Sequence, residues 1–151
     1  MVIQQSGPFP QVQPLSTLPM REEIPPGLKK SALRVLVVDD EPLVLWSITE
    51  MLRSHGMEVE EASTANTALR AFTAQDGPPD AVLLDLNLPD SNDLGLLTMM
   101  RKLAPRTRVI LMTAFGTPEV RAEARRLGVF SVIDKPFDLD SLDGLLTRSV
   151  Q

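Results

Sequence analysis

Residues 34–56 read RVLVVDDEPLVLWSITEMLRSHG, and this stretch decides the fold. The run Arg34–Val38 is aliphatic and β-branched without polar alternation, as expected of a strand covered on both faces. Asp39, Asp40 and Glu41 end it. Pro42 suits the first turn of a helix, Leu45, Ile48 and Leu52 share one helical face, and Gly56 follows Ser54 as a stop. A buried strand, an acidic turn and an amphipathic helix make one βα unit.

The unit recurs along the chain. Glu58–Ala62 reads as a short strand, and Thr64–Ala74 as a helix with Ala68, Leu69 and Phe72 inward. After the loop of Gly77, Pro78 and Pro79 come a strand at Ala81–Leu84 and a helix at Asp93–Leu103. A strand at Arg108–Met112, a helix at Pro118–Leu127, a strand at Ser131–Ile133 and a helix at Leu139–Ser149, capped by Asp138, complete the series. Strict alternation predicts an α/β fold with a parallel sheet and helices on both faces. Right-handed crossovers and five strands point to the flavodoxin-like doubly wound order 2-1-3-4-5. Residues 1–32 differ: they hold Pro8, Pro10, Pro14, Pro19, Pro25 and Pro26 and no sustained periodicity. They read as a disordered Pro-rich arm before a domain at residues 33–151.

Composition narrows the chemistry. The chain has 151 residues and a net charge of −5, a poor balance for gripping nucleic acid or anionic lipid. With no cysteine there is no thiolate nucleophile and no cysteine zinc site, and one histidine (His55) cannot make a poly-histidine metal site. No apolar run is long enough for a membrane span and no signal peptide is evident, so a cytoplasmic protein with a natural start at Met1 is expected. The sequence closes just after the last helix, which suits either a stand-alone domain or a piece of a longer protein.

In a sheet of this order, ligands bind beyond the carboxyl ends of the strands where the order reverses. That point lies between the first and third strands, which end in Asp39-Asp40-Glu41 and Asp85. Clustered carboxylates repel one another, and a hard divalent cation, Mg²⁺ first, relieves them. Neither GxxxxGK[ST] nor GxGxxG is present, which argues against a nucleotide site. Thr113 and Lys135 end the fourth and fifth strands on the same rim. A hydroxyl and an ammonium beside metal-bound carboxylates suit a transferring phosphoryl group, and an aspartate can be its nucleophile. The structural alternative is that Asp39 and Asp40 cap the Pro42 helix and Asp85 is a loop residue. His55 reads as an exposed residue or a partner of the helix C-terminal dipole, and Trp46 as packing. Glu58, Glu60 and Glu61 read as a solvated strand edge, and Arg121, Arg125 and Arg126 as a solvated helix face or part of a partner surface.

The segments VLVVDDE, LLDLNLP, ILMTA and DKPF, in this order and at these strand ends, resemble the receiver domain of two-component response regulators. The likeness runs from about Arg34 to Ser149, and TAFGTPEVRAEARRLG is similar to receivers of the nitrogen-regulator type. The resemblance implies a signalling switch rather than an enzyme, although it catalyses its own phosphotransfer and slow autodephosphorylation. It implies Asp85 as phosphoacceptor, and Asp40, Asp85 and the backbone carbonyl of Asn87 as Mg²⁺ ligands, with Asp39 holding the metal mostly through water. It further implies that Thr113 and Lys135 bind the phosphoryl group, that Glu41 assists near the metal, and that the Lys135–Pro136 bond is cis. The implied donor is a sensor histidine kinase or histidine phosphotransfer protein. The implied target, a downstream effector or a second copy, meets the face of the fourth helix, fifth strand and fifth helix.

Three positions depart from that pattern. Val132 stands where receivers carry a switching Tyr or Phe, with Phe130 nearby but differently directed. Asp93 stands where a left-handed Gly is usual, so a strained loop is expected. Phe115 is bulky at the expected pocket mouth, where it would slow the access of water. Two rival readings remain: an Asp-nucleophile phosphatase of the haloacid-dehalogenase type, and a phosphorylation-independent interaction module. The first lacks its usual Asp-x-Asp after the first strand.

Overall fold

The structure, a computed structural model, describes residues 32–151. The arm expected at residues 1–32 lies outside the described residues except for Ala32. Five strands and five helices alternate: β1 (Arg34–Val38), α1 (Pro42–Ser54), β2 (Glu58–Ala62), α2 (Ala65–Phe72), β3 (Ala81–Asp85), α3 (Gly95–Leu103), β4 (Arg108–Thr113), α4 (Pro118–Arg126), β5 (Ser131–Asp134) and α5 (Leu139–Ser149). The strands form one parallel sheet in the order β2-β1-β3-β4-β5, as the alternation requires.

The uniform apolarity of the central strands has a direct cause. Leu36 and Val38 of β1, Val82 and Leu84 of β3, and Val109 and Leu111 of β4 enter one core with α2 and α3. Their neighbours Val35, Val37, Ala81, Leu83, Ile110 and Met112 enter the opposite core with Ile48 and Leu52 of α1 and Leu142 and Leu146 of α5. Successive side chains point to opposite faces, so a doubly covered strand must be apolar at every position. Each fully buried Leu, Ile or Val contributes about 1.5–3 kcal/mol of transfer free energy. The edge strand β2 sends Val59 and Ala62 into the two opposite cores, and its Glu58, Glu60 and Glu61 are exposed as expected.

Differences from the sequence reading fall mainly at element ends. Thr64 is the N-cap of α2 rather than its first residue: its hydroxyl accepts from Thr67 N–H, and Thr67 Oγ1 accepts from Thr64 N–H. The helix ends at Phe72, two residues before Ala74. Helix α3 begins at Gly95, not Asp93, because Asp93 Oδ1 accepts the Gly95 N–H and shapes the turn ahead of the helix. Asp93 is not left-handed: among the described residues only Gly56, Gly77 and Gly128 have positive φ, so the expected strain is absent. Helix α4 stops at Arg126, one residue early, while β3, β4 and β5 each run one residue longer than expected. Trp46 is not packed in a core but is 60% exposed, since it projects off the Ile48–Leu52 stripe of α1. His55 Nδ1 lies 2.8 Å from Asp143 Oδ1, joining the end of α1 to α5. Among the described residues no helix is long and apolar enough to cross a membrane.

Candidate functional site

Because β1 and β3 are neighbours whose crossovers leave in opposite directions, their carboxyl ends open a crevice. Asp39 follows β1 directly. Its N–H donates to Ala62 O at 3.0 Å, so the ladder with β2 continues one residue and turns the side chain inward, fully buried. Asp39 Oδ1 accepts the Glu41 N–H at 2.9 Å. The cap of α1 is Glu41, which makes no side-chain capping bond, so Asp39 and Asp40 do not serve as its N-cap. Asp40 is exposed at the mouth. Asp85, the last residue of β3, is 4% exposed, and its Oδ1 accepts the N–H of the exposed Asn87 at 3.0 Å.

Lys135 enters from the far side. Strand β5 carries it past β4, and its N–H donates to Thr113 O at 2.8 Å. The Lys135–Pro136 bond is cis. Its ammonium, on a side chain only 13% exposed, lies 2.7 Å from Asp39 Oδ2, 3.0 Å from Glu41 Oε1 and 3.2 Å from Asp85 Oδ2. Thr113 is fully buried, and its hydroxyl accepts the Phe115 N–H at 3.2 Å. The Phe115 side chain is 83% exposed.

The electrostatics are unbalanced. Burial is the main cause that raises the Asp85 carboxyl above its ordinary value. The Asn87 N–H opposes this, the Asp39 charge adds to it, and Lys135 opposes it. Burial works to lower the Lys135 ammonium, but its close contact with Asp39, its hydrogen bond to Glu41 and the charges of Asp39 and Asp85 outweigh it and raise the group above the ordinary lysine value. One ammonium therefore serves a cluster of acids. Two unit charges about 5 Å apart at an effective dielectric near 20 repel by about 3 kcal/mol.

The donor set fits a hard cation. One oxygen from each of Asp39, Asp40 and Asp85 lies within 4.8 Å of the other two. Asp39 Oδ2 is buried and receives no directed hydrogen bond: Lys135 approaches it closely but off the hydrogen-bonding direction, so charge alone compensates that oxygen. A buried lone pair left free among carboxylates suits an oxygen-seeking divalent ion.

The structure thus brings together Asp39, Asp40, Asp85, Lys135 and Glu41, and places Thr113 and Asn87 on adjoining turns. Two features escaped the sequence reading. Asp90 accepts the N–H groups of Ala65 at 2.7 Å and Asn66 at 3.0 Å, so the loop after β3 is pinned to the start of α2. These two backbone bonds hold the exposed Asp90 carboxyl below its ordinary value. Arg121 of α4 pairs with Asp134 at the end of β5. Beside the site, Leu43, Val44, Ala114, Pro136 and Phe137 line an apolar groove of about 540 Å³.

Comparison with known proteins agrees with this geometry. The family model for the response regulator receiver domain matches residues 35–147. Regulatory protein AtoC of Escherichia coli is 40% identical over 118 residues, 78% of this chain and 25% of its own length. The DNA-binding transcriptional regulator NtrC of Azospirillum brasilense is 33% identical over 120 residues, 80% of this chain and 24% of its own. Sporulation initiation phosphotransferase F of Bacillus subtilis is 31% identical over 109 residues, 72% of this chain and 86% of its own. A CheY-like receiver domain structure from Methanospirillum hungatei superposes with a TM-score of 0.75 at 29% identity, covering 80% of this chain and 94% of that one. The chain spans about a quarter of the length of AtoC and NtrC.

Proposed function

From the premise that the chain belongs to the response regulator receiver domain family, we propose that Asp85 accepts a phosphoryl group from a phosphohistidine on a partner kinase or phosphotransfer protein. A carboxylate oxygen of Asp85 attacks phosphorus, the P–N bond breaks, and the imidazole leaves with the bonding electron pair. The observation that carries this reading is the placement of the Lys135 ammonium within 3.2 Å of carboxylates from the ends of both β1 and β3. Lys135 neutralises charge on the transferred group, and the Thr113 hydroxyl donates to one of its oxygens. Asp39, Asp40, Asp85 and the Asn87 carbonyl would hold Mg²⁺, Asp39 mostly through water, with Glu41 assisting. The ion would supply positive charge to the carboxylates and the phosphoryl oxygens. Burial that raises the Asp85 carboxyl makes its ionised oxygen the more basic one, which favours attack.

The protein then acts as a switch, with turnover limited to its own phosphotransfer and autodephosphorylation. The apolar groove beside Lys135 supports docking of the phosphodonor next to the site. An effector or a second copy reads the α4–β5–α5 face. This reading puts the chain in the cytoplasm beside its donor.

Incubation with acetyl phosphate and Mg²⁺, followed by intact mass, tests it. We expect a gain of one phosphoryl group that vanishes in Asp85→Asn. No adduct, or an adduct that survives Asp85→Asn, would overturn the reading, and multiple turnover on phosphate monoesters would favour a phosphatase instead.

A further inference from the structure

Of the arginines on α4, Arg126 lies open and pairs with Glu123 on its own helix, whereas Arg121 turns back onto the sheet. Its Nη2 pairs with Asp134 Oδ1, and its Nε donates to Gly116 O at 3.3 Å. Gly116 is wedged: a Cβ there would lie 2.8 Å from Thr113 Cγ2 and 3.2 Å from Arg121 Nη2. Asp134 sits opposite Thr113 in the β4–β5 register and directly precedes Lys135. One guanidinium therefore ties the loop after Thr113 to the strand end that delivers Lys135.

We propose that Arg121 is a positioning residue of the phosphoryl site: its clasp on Asp134 and the Gly116 carbonyl resists movement of the Thr113–Gly116 segment toward a phosphoryl group on Asp85. The inference rests on the phosphoacceptor reading and deepens it. In the described position the Thr113 hydroxyl is engaged by the Phe115 N–H. The Thr113 methyl already abuts Gly116, and the guanidinium bound to the Gly116 carbonyl backs that turn, so the segment shifts toward Asp85 only as the clasp loosens. Clasp and phosphoryl binding therefore oppose each other, and loosening one favours the other. With Val132 in place of an aromatic side chain on β5, an ion pair carries the coupling between the site and α4.

The test titrates the full chain with beryllofluoride in saturating Mg²⁺. Arg121→Ala should bind about three- to fivefold more tightly than the native chain, the range of a partly exposed ion pair. Asp134→Asn removes the ion pair but leaves the Nε bond to Gly116, so it should give part of that gain, and the double variant should gain no more than Arg121→Ala alone, because the Asp134 interaction is already lost there. Arg121→Lys keeps the charge pair but loses the Nε bond, and should fall between. Unchanged or weaker binding by Arg121→Ala, or gains that simply add in the double variant, would overturn the proposal. Failure of the native chain itself to bind beryllofluoride would instead contradict the phosphoacceptor reading on which it rests.

Discussion

The two ends of the sheet each carry a cation on a strand terminus, and they treat it oppositely. At the amino end, Arg34 opens β1. Its guanidinium donates to the carbonyls of Asp76 at 3.1 Å, Gly77 at 3.3 Å and Pro78 at 3.4 Å, while its N–H donates to Asp80 Oδ2 at 2.9 Å. Thr107 Oγ1 donates to Pro79 O at 2.7 Å beside it. Here the guanidinium meets neutral carbonyls and the one carboxylate, Asp80, takes a backbone N–H, so the loop before β3 is tied down by directed hydrogen bonds. At the carboxyl end, one ammonium faces Asp39, Glu41 and Asp85, with Asp40 close by. The first end is satisfied and holds the fold. The second is short of positive charge, and that deficit is a capacity for a cation and a phosphoryl group.

The largest way to break this comparison is Lys135→Ala. It leaves Asp39 and Asp85 buried without a counter-charge, and about 3 kcal/mol of stability should be lost near pH 7 without Mg²⁺. The loss should shrink as pH falls, because the raised Asp85 carboxyl takes up its proton before an ordinary one does. Denaturant melts across pH check both statements, and Mg²⁺ should restore part of the stability. Arg34→Ala should cost less, about 1 kcal/mol, because its bonds are partly solvated. Phosphorylation by acetyl phosphate should stay unchanged in that variant, and a drop would mean the two ends are not separable. Asp40→Asn sharpens the comparison with the smallest effect on stability, since the group is exposed. Calorimetric titration should nonetheless show Mg²⁺ binding weakened about tenfold or more.

Much of this division is visible in the chain itself. Runs of four or five apolar residues marked the doubly covered strands, and their acidic or polar endings marked the rim, because topology alone puts Asp39, Asp85, Thr113 and Lys135 on one side of the sheet. The start of α3 was not legible: Asp93 is compatible with a first helical turn, and only its bond to Gly95 N–H shows that the helix begins later. Trp46 misled because its size suggests burial while its angular position on α1 faces away from the core. The Asp90 link to α2 joins residues 24 and 25 positions apart, and the Arg121–Asp134 pair joins residues 13 apart on different elements. Such contacts depend on how finished elements pack, and no local pattern announces them.

The central claim is that the carboxyl end holds surplus negative charge for a cation, and the order of two melting curves tests it most directly. A carboxyl raised by burial works against the folded state at neutral pH, so its removal helps. Without Mg²⁺, Asp85→Asn should therefore be more stable than the native chain. At a Mg²⁺ concentration about 100 times the dissociation constant the native chain should gain about 2.7 kcal/mol and overtake the variant, which has lost a ligand. That reversal of order is the expected result. Melting curves that keep the same order and spacing with and without Mg²⁺ would contradict the account.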